Sequence, residues 1–175
     1  IQNNLGMAYY LKKANDKAIF HIEKSLKIDP KNSDARNNLA SIYFNQGNYL
    51  QAEREYQIVL QDLVYTHQYR TYYNLGLINL KKGLIDLAIQ NIESSIKENP
   101  NYCPSLFELG KQYYEQKKYD VALNKLKEAG KGTCYEYPAS QYYMGLTFLK
   151  LGNKKAAREK FMEITNSWPK NHYAK

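Results

Sequence analysis

Two cysteines, three histidines and an excess of lysine are the residues of this chain with chemistry to offer, and their spacing decides which chemistry that is. A thiol pair can ligate a metal, arm a nucleophile or close a disulfide. His21, His67 and His172 stand far apart from one another and from Cys103 and Cys134, so no pair has the spacing of a metal site. No glycine-rich phosphate loop occurs. Asp and Glu recur as charges on helical faces, where they are solvated or compensate a helix dipole. The expectation is a non-catalytic protein with no cofactor and no metal.

Lysine is the other candidate. With Lys+Arg 25 against Asp+Glu 17, the formal net charge is +8. Lys12-Lys13, Lys81-Lys82 and Lys117-Lys118 each close a helical stretch, where the macrodipole favours cations, and Asp16, Asp86 and Asp120 follow at the start of the next. The charge therefore has a structural account. With no arginine-rich run and no nucleic-acid motif, nucleic acid is not expected. An acidic protein surface or anionic lipid headgroups could use the same charge.

The elements that position these groups are written five times. The segment Tyr69–Tyr102, "YRTYYNLGLINLKKGLIDLAIQNIESSIKENPNY", is the cleanest copy. Tyr72, Leu75, Gly76 and Asn79 recur at helical spacing, Gly83 interrupts, and Leu87, Ala88, Ile92 and Ile96 form the stripe of a second helix that Pro100 ends. One small residue recurs as Gly6, Ala40, Gly76, Gly110 and Gly145, at steps of 34, 36, 34 and 35 residues. A second recurs in phase as Ala18, Ala52, Ala88, Ala122 and Ala157. Two markers sharing one series predict a helix–turn–helix solenoid, because neither helix of a hairpin can bury its stripe alone.

These residues resemble tetratricopeptide repeats. The likeness implies an all-α, right-handed α-solenoid of five hairpins in one domain, with repeats at about 1–32, 33–66, 69–102, 103–136 and 138–171, truncated at both ends. The family's small residues sit where one helix presses on the next, and an aromatic three positions later fills the gap. Tyr9, Tyr43, Tyr113 and Phe148 supply it here, and Asn79 departs from it. Pro30, Pro100 and Pro169 close repeats, whereas Val64 and Cys134 stand at that position in repeats two and four.

Local detail follows from turn chemistry. Ser33 or Asp34 is placed to start a helix, and Gly47 suits a left-handed C-cap. Lys13 and Lys117 hold the equivalent place, at about 1 kcal/mol each relative to glycine if the conformation is kept. The extra two residues between repeats two and three fall in "QDLVYTHQYR", either a tolerated loop length or a partner contact through Tyr65, His67 or Tyr69. Phe161 and Ile164 form a last stripe with no repeat to follow, which calls for a capping helix or another chain. No apolar run approaches the roughly 18 residues of a membrane helix.

Cys103 begins the first helix of repeat four and Cys134 follows its second, and those ends lie side by side in an antiparallel hairpin. Two readings stand. A disulfide stabilising the hairpin by about 3–4 kcal/mol places the chain in an oxidising compartment, and two reduced thiols place it in the cytosol.

Resemblance also supplies a binding site, since the first helices of such repeats line an inner groove. Its positions fall on Asn3, Met7 and Tyr10, then Asn37, Ser41 and Phe44, then Arg70, Tyr73, Leu77 and Lys81. Repeat four gives Phe107, Lys111 and Tyr114, and repeat five gives Tyr142, Leu146 and Leu149. Rings interspersed with polar groups suit a peptide or an amphipathic helix. The lysine–asparagine clamp of chaperone adaptors is absent, with Asn3 and Met7 in its place. An asparagine ladder is partial, with Asn4, Asn38 and Asn74 but Glu108 and Tyr143.

The tyrosine-containing loop and "NYCPSLFELGKQYYEQKKYDVALNKL" followed by a second cysteine are similar to the tetratricopeptide lipoproteins of type IV pilus biogenesis. That likeness implies a pilotin-like protein on the periplasmic face of the outer membrane, with a secretin segment as partner and any lipid anchor upstream of Ile1. The alternatives are a cytosolic adaptor or co-chaperone-like scaffold and the repeat portion of a larger enzyme.

Overall fold

Helices begin and end where the sequence changes its backbone preferences, and they do so in pairs. The pairs are α1 (Gln2–Leu11) with α2 (Asn15–Ile28), α3 (Ser33–Asn45) with α4 (Tyr49–Val59), and α5 (Gln68–Lys81) with α6 (Ile85–Glu98). Then follow α7 (Cys103–Glu115) with α8 (Tyr119–Glu128), and α9 (Pro138–Lys150) with α10 (Lys154–Ser167). The computed structural model describes residues 1–135 and 137–174, and among these there is no strand. The fold is all-α, as the periodicity predicts. The expected end of repeat four, at Glu136, lies outside the described residues.

Proline sets several exits. α2, α6 and α10 each stop two residues before Pro30, Pro100 and Pro169, because the residue ahead of a proline is driven out of the helical region. Pro104 and Pro138 stand in the first turns of α7 and α9, where a missing N–H costs nothing. α3 starts at Ser33, as expected, and its cap is the preceding Asn32, whose Oδ1 accepts from the Ala35 N–H at 2.8 Å. Between first and second helices the chain takes a left-handed residue. Gly47 does so at φ +80°, and Lys13 and Lys117 do so at +60° and +61°.

The chain divides into two compact units, Ile1–Ala88 and a second from Ile89 onward. The core of the first unit has two clusters. Ala18, Ile22, Ala35, Leu39 and Ile42 form one, with Met7, Tyr9, Tyr10 and Tyr43 packed on it. Ala40, Ala52, Tyr56, Leu75 and Ile78 form the other, with Phe44 and Tyr49 against it. The second unit is centred on Leu106, Phe107, Leu126, Ala129, Cys134, Ala139 and Met144.

The two small-residue series explain how closely paired helices approach. A Cβ on Gly6 meets the Ile22 side chain at 2.5 Å and the Ala18 carbonyl oxygen at 2.9 Å. On Gly110 it meets Leu126 at 2.7 Å, and on Gly145 it meets Phe161 at 2.6 Å. Opposite them, Ala18, Ala52, Ala88, Ala122 and Ala157 are all buried. Where the aromatic gap-filler is missing, Asn79 is buried and its Oδ1 has no hydrogen-bond partner among the described residues.

The last stripe differs from expectation. Ile164 is fully buried, and Phe161 lies against the Tyr142 ring at 5.9 Å. After α10 a short 3-10 turn, His172–Ala174, returns so that Tyr173 stacks on Tyr142 at 4.9 Å. The tail thus covers part of what a further helix was expected to cover, because aromatic residues follow Pro169.

Candidate binding faces

In the first unit the first helices of successive repeats are joined by polar pairs one repeat apart. Asn38 Nδ2 donates to Asn3 Oδ1 at 3.0 Å, and Asn45 Nδ2 donates to the Tyr10 hydroxyl at 2.7 Å. Thr71 Oγ1 donates to Asn37 Oδ1 at 3.1 Å in a buried contact. Ser41 Oγ bonds the Asn37 carbonyl and the Tyr56 hydroxyl, each at 2.9 Å. Around these pairs Met7, Tyr10, Phe44, Tyr73 and Leu77 stay half-buried, and Arg70 and Lys81 are exposed. Arg70 lies over the Tyr69 ring at 5.7 Å. The face is polar, with rings set among the hydrogen-bonded pairs.

The second unit uses rings in contact. Phe107 meets Tyr137 and Tyr143 edge-on at 5.3 and 5.5 Å. Tyr143 meets Tyr114 at 5.6 Å and Tyr142 at 5.9 Å. Edge-to-face geometry sets the positive rim of one ring against the negative face of another. Burial first, then the nearby carboxylates Glu115 and Glu108, push the Tyr143 phenol up to about 12. Tyr137 and Tyr114 shift the same way, again chiefly through burial. Glu108 is buried beneath and accepts from Gln112 Nε2 at 2.7 Å and Lys111 Nζ at 3.4 Å. The charge of Lys111 is therefore partly spent on neutralising a buried carboxylate.

Cys103 and Cys134 form a disulfide, with Cα atoms 5.3 Å apart. Cys103 opens α7 and Cys134 ends a 3-10 turn after α8, so the bridge closes the two ends of one hairpin.

The inserted loop is fastened rather than free. Asp62 accepts from Ser33 Oγ and from the Val64 N–H, its carbonyl accepts from Gln68 Nε2 at 2.6 Å, and the Tyr65 hydroxyl donates to Asp34 Oδ1 at 2.8 Å. Burial and that hydrogen bond raise the Tyr65 phenol pKa. His67 sits between the Tyr65 and Tyr69 rings, at 5.6 and 5.9 Å. The apolar side chains that the loop leaves outward are Leu63 and Val64.

Two expected contact positions serve packing. Asn37 is 6% exposed and holds Thr71, and Phe107 is 7% exposed at the centre of its cluster, so neither side chain is open to a partner. Spacing alone could not tell an inward ring from an outward one, since both satisfy the helical period. The other positions, Asn3, Met7, Tyr10, Ser41, Phe44, Arg70, Tyr73, Leu77, Lys81, Lys111, Tyr114, Tyr142, Leu146 and Leu149, keep some exposure. Asn45 and Tyr143 were missed. Asn45 stands one repeat after Tyr10, its partner, and that register is the signal that finds it.

Four family models described as tetratricopeptide repeat match, at residues 1–32, 21–54, 69–102 and 139–171, together more than half of the chain. No curated protein sequence matches it. Among solved structures, PilF of Pseudomonas aeruginosa superposes with a TM-score of 0.85 at 20% identity, over 98% of this chain and 77% of that one. MamA gives 0.76 at 22% identity, over 95% of both chains. PilW, described as a widely conserved type IV pilus biogenesis factor, gives 0.65 at 21%, over 98% of this chain and 94% of that one. At these identities the likeness speaks for the fold.

Proposed function

Because the chain is a tetratricopeptide-repeat protein, a family of protein-interaction scaffolds, we propose that it captures a peptide or helix on its first-helix faces, as an assembly factor for a type IV pilus secretin. The observation that carries this is the set of half-buried rings on those helices: Tyr10, Phe44 and Tyr73 in one unit, Tyr114 and Tyr142 in the other. A ring partly exposed in the unbound protein offers a partner large apolar area at little conformational cost. Lys111 and Arg70 beside the rings add donors for carboxylates or backbone carbonyls.

The pilus reading draws support from the fold likeness to PilF and PilW, whereas MamA shares the fold without that description. The disulfide supports an oxidising compartment, hence the periplasmic face of the outer membrane rather than the cytosol. No helix among the described residues is long and apolar enough to cross a membrane. Thiol titration of denatured, unreduced protein separates the compartments: no reactive thiol is expected, and two reactive thiols return the chain to the cytosolic adaptor reading.

The partner is tested with a peptide array covering the secretin subunit of the same genome. One segment is expected to bind, and Tyr114→Ala with Tyr142→Ala is expected to weaken it at least tenfold with the helical circular dichroism unchanged. An array with no bound segment overturns the secretin assignment. Binding that ignores these tyrosines overturns the choice of face.

A further inference from the structure

The residues at positive φ that are not glycine among the described residues are both lysines, Lys13 and Lys117. They occupy the turn position that Gly47, Gly83 and Gly152 fill elsewhere, one step before the residue that caps the second helix. A Cβ is strained there and glycine is not, so two of five equivalent turns keep a lysine against the local preference. Backbone strain that the fold could shed by one substitution points to a use for the side chain. Dipole compensation does not account for it, because neighbouring Lys12 and Lys118 already place a cation at each turn.

All four side chains are exposed, and none forms an ion pair among the described residues; Lys118 Nζ lies 5.8 Å from the centre of the Tyr113 ring. Exposed aliphatics accompany them. Leu11, directly before Lys12, is 80% exposed. In the second unit α8 runs back along α7 and α9 runs back along α8, so the α7–α8 and α9–α10 turns share one end. That end carries Lys117, Lys118 and Lys150 with exposed Leu149 and Leu151. The nearby acids Asp16 and Asp120 lie in the first turns of α2 and α8, at the positive helix ends; Glu115 stands two residues before Lys117, and Glu93 faces Tyr113, over whose ring Lys118 lies.

We propose that the turn holding Lys117 is a contact point for a bilayer surface bearing anionic phospholipid headgroups, and that the turn holding Lys13, taken by itself in the other unit, offers the same chemistry. Ammonium groups at phosphate level, with aliphatic tips entering the headgroup boundary, fit that occupant. Nucleic acid uses the charge but leaves the leucines in water, whereas a headgroup boundary takes both. The inference shares only Leu149 with the first-helix reading, and none of the residues its variants change.

The test is co-sedimentation of the full chain with phosphatidylcholine vesicles, with and without phosphatidylglycerol. Binding is expected only with phosphatidylglycerol, and it should fall in about 1 M salt, where screening acts within roughly 3 Å. Lys13→Gly with Lys117→Gly should raise the melting temperature by about 4–8 °C while lowering vesicle binding roughly fivefold per lysine. Lys13→Gln with Lys117→Gln keeps the strain and should lose the same binding without the thermal gain. Equal binding to pure phosphatidylcholine, unchanged binding by the glycine variant, or retention by the glutamine variant each overturns the proposal. Capture by soluble polyglutamate or by duplex DNA with no binding to vesicles overturns it in favour of that polyanion.

Discussion

In the unit ending at Ala88, neighbouring repeats are joined by directional pairs, Asn38 to Asn3, Asn45 to Tyr10 and Thr71 to Asn37. From Ile89 onward the same task falls to rings packed on Phe107 and Tyr143, and the Cys103–Cys134 bridge closes one hairpin on itself. One repeat pattern therefore supports two kinds of cohesion. A hydrogen bond requires its partner at one position and is costly when that partner is removed, whereas ring packing spreads over area and tolerates small shifts. The first unit should be sensitive to changes of register, and the second to truncation, reduction and alkali.

The largest test of that contrast is Phe107→Ala. Loss of a buried ring at the centre of its cluster should cost about 3–5 kcal/mol, read as faster amide exchange across α7–α9 with α1–α4 unchanged. Uniform loss in both units breaks the comparison, and lost partner binding with intact stability makes Phe107 a contact after all.

Reduction comes next. Opening the Cys103–Cys134 bridge should cost about 3–4 kcal/mol for a loop of this length, measured by urea unfolding with and without dithiothreitol. The effect should fall on the second unit. Insensitivity to the reductant means that the rings alone hold the hairpin.

On the other side, Asn37→Ala should cost about 1–3 kcal/mol by leaving the Thr71 hydroxyl buried and unpaired. Adding Thr71→Val should restore most of it, since removing both partners removes the unmet group. Additive losses in the double variant deny the pair its directional role.

The smallest effect is alkaline. The fold favours the neutral Tyr143 phenol by lifting its pKa above the ordinary value near 10 to about 12. That contribution is complete below pH about 10 and is lost as the pH climbs through the folded value. Tyr137 and Tyr114 shift in the same direction, so the ring cluster should loosen together in alkali, whereas the raised Tyr65 and Tyr43 of the first unit stand outside any such cluster of rings on a first-helix face. Ultraviolet titration of Tyr143→Phe against the parent resolves it, and identical curves remove the proposed step.

Much of this was legible in the residues. Helix ends follow from Pro30, Pro100 and Pro169 because an imide ring acts on its immediate neighbour, and the small residues mark close approach because a missing Cβ leaves only one kind of gap to fill. The left-handed lysines were legible for the same local reason. Binding faces were legible as faces, since a helical period places residues on a side without saying how deep each lies.

Depth and partnership belong to the tertiary structure. Phe107 and Tyr114 share the same period and both meet Tyr143, yet one is enclosed and the other half-open, because Phe107 also packs on Tyr137, thirty residues further on. The start of α3 at Ser33 was legible, but that Asn32 caps it was not, because only the folded turn decides whose oxygen reaches the Ala35 N–H. The sequence by itself determined repeat, turn and face, which are set by a residue and its near neighbours along the chain. Burial, ring contacts and the covering of the last stripe were decided by residues that meet only when the chain folds.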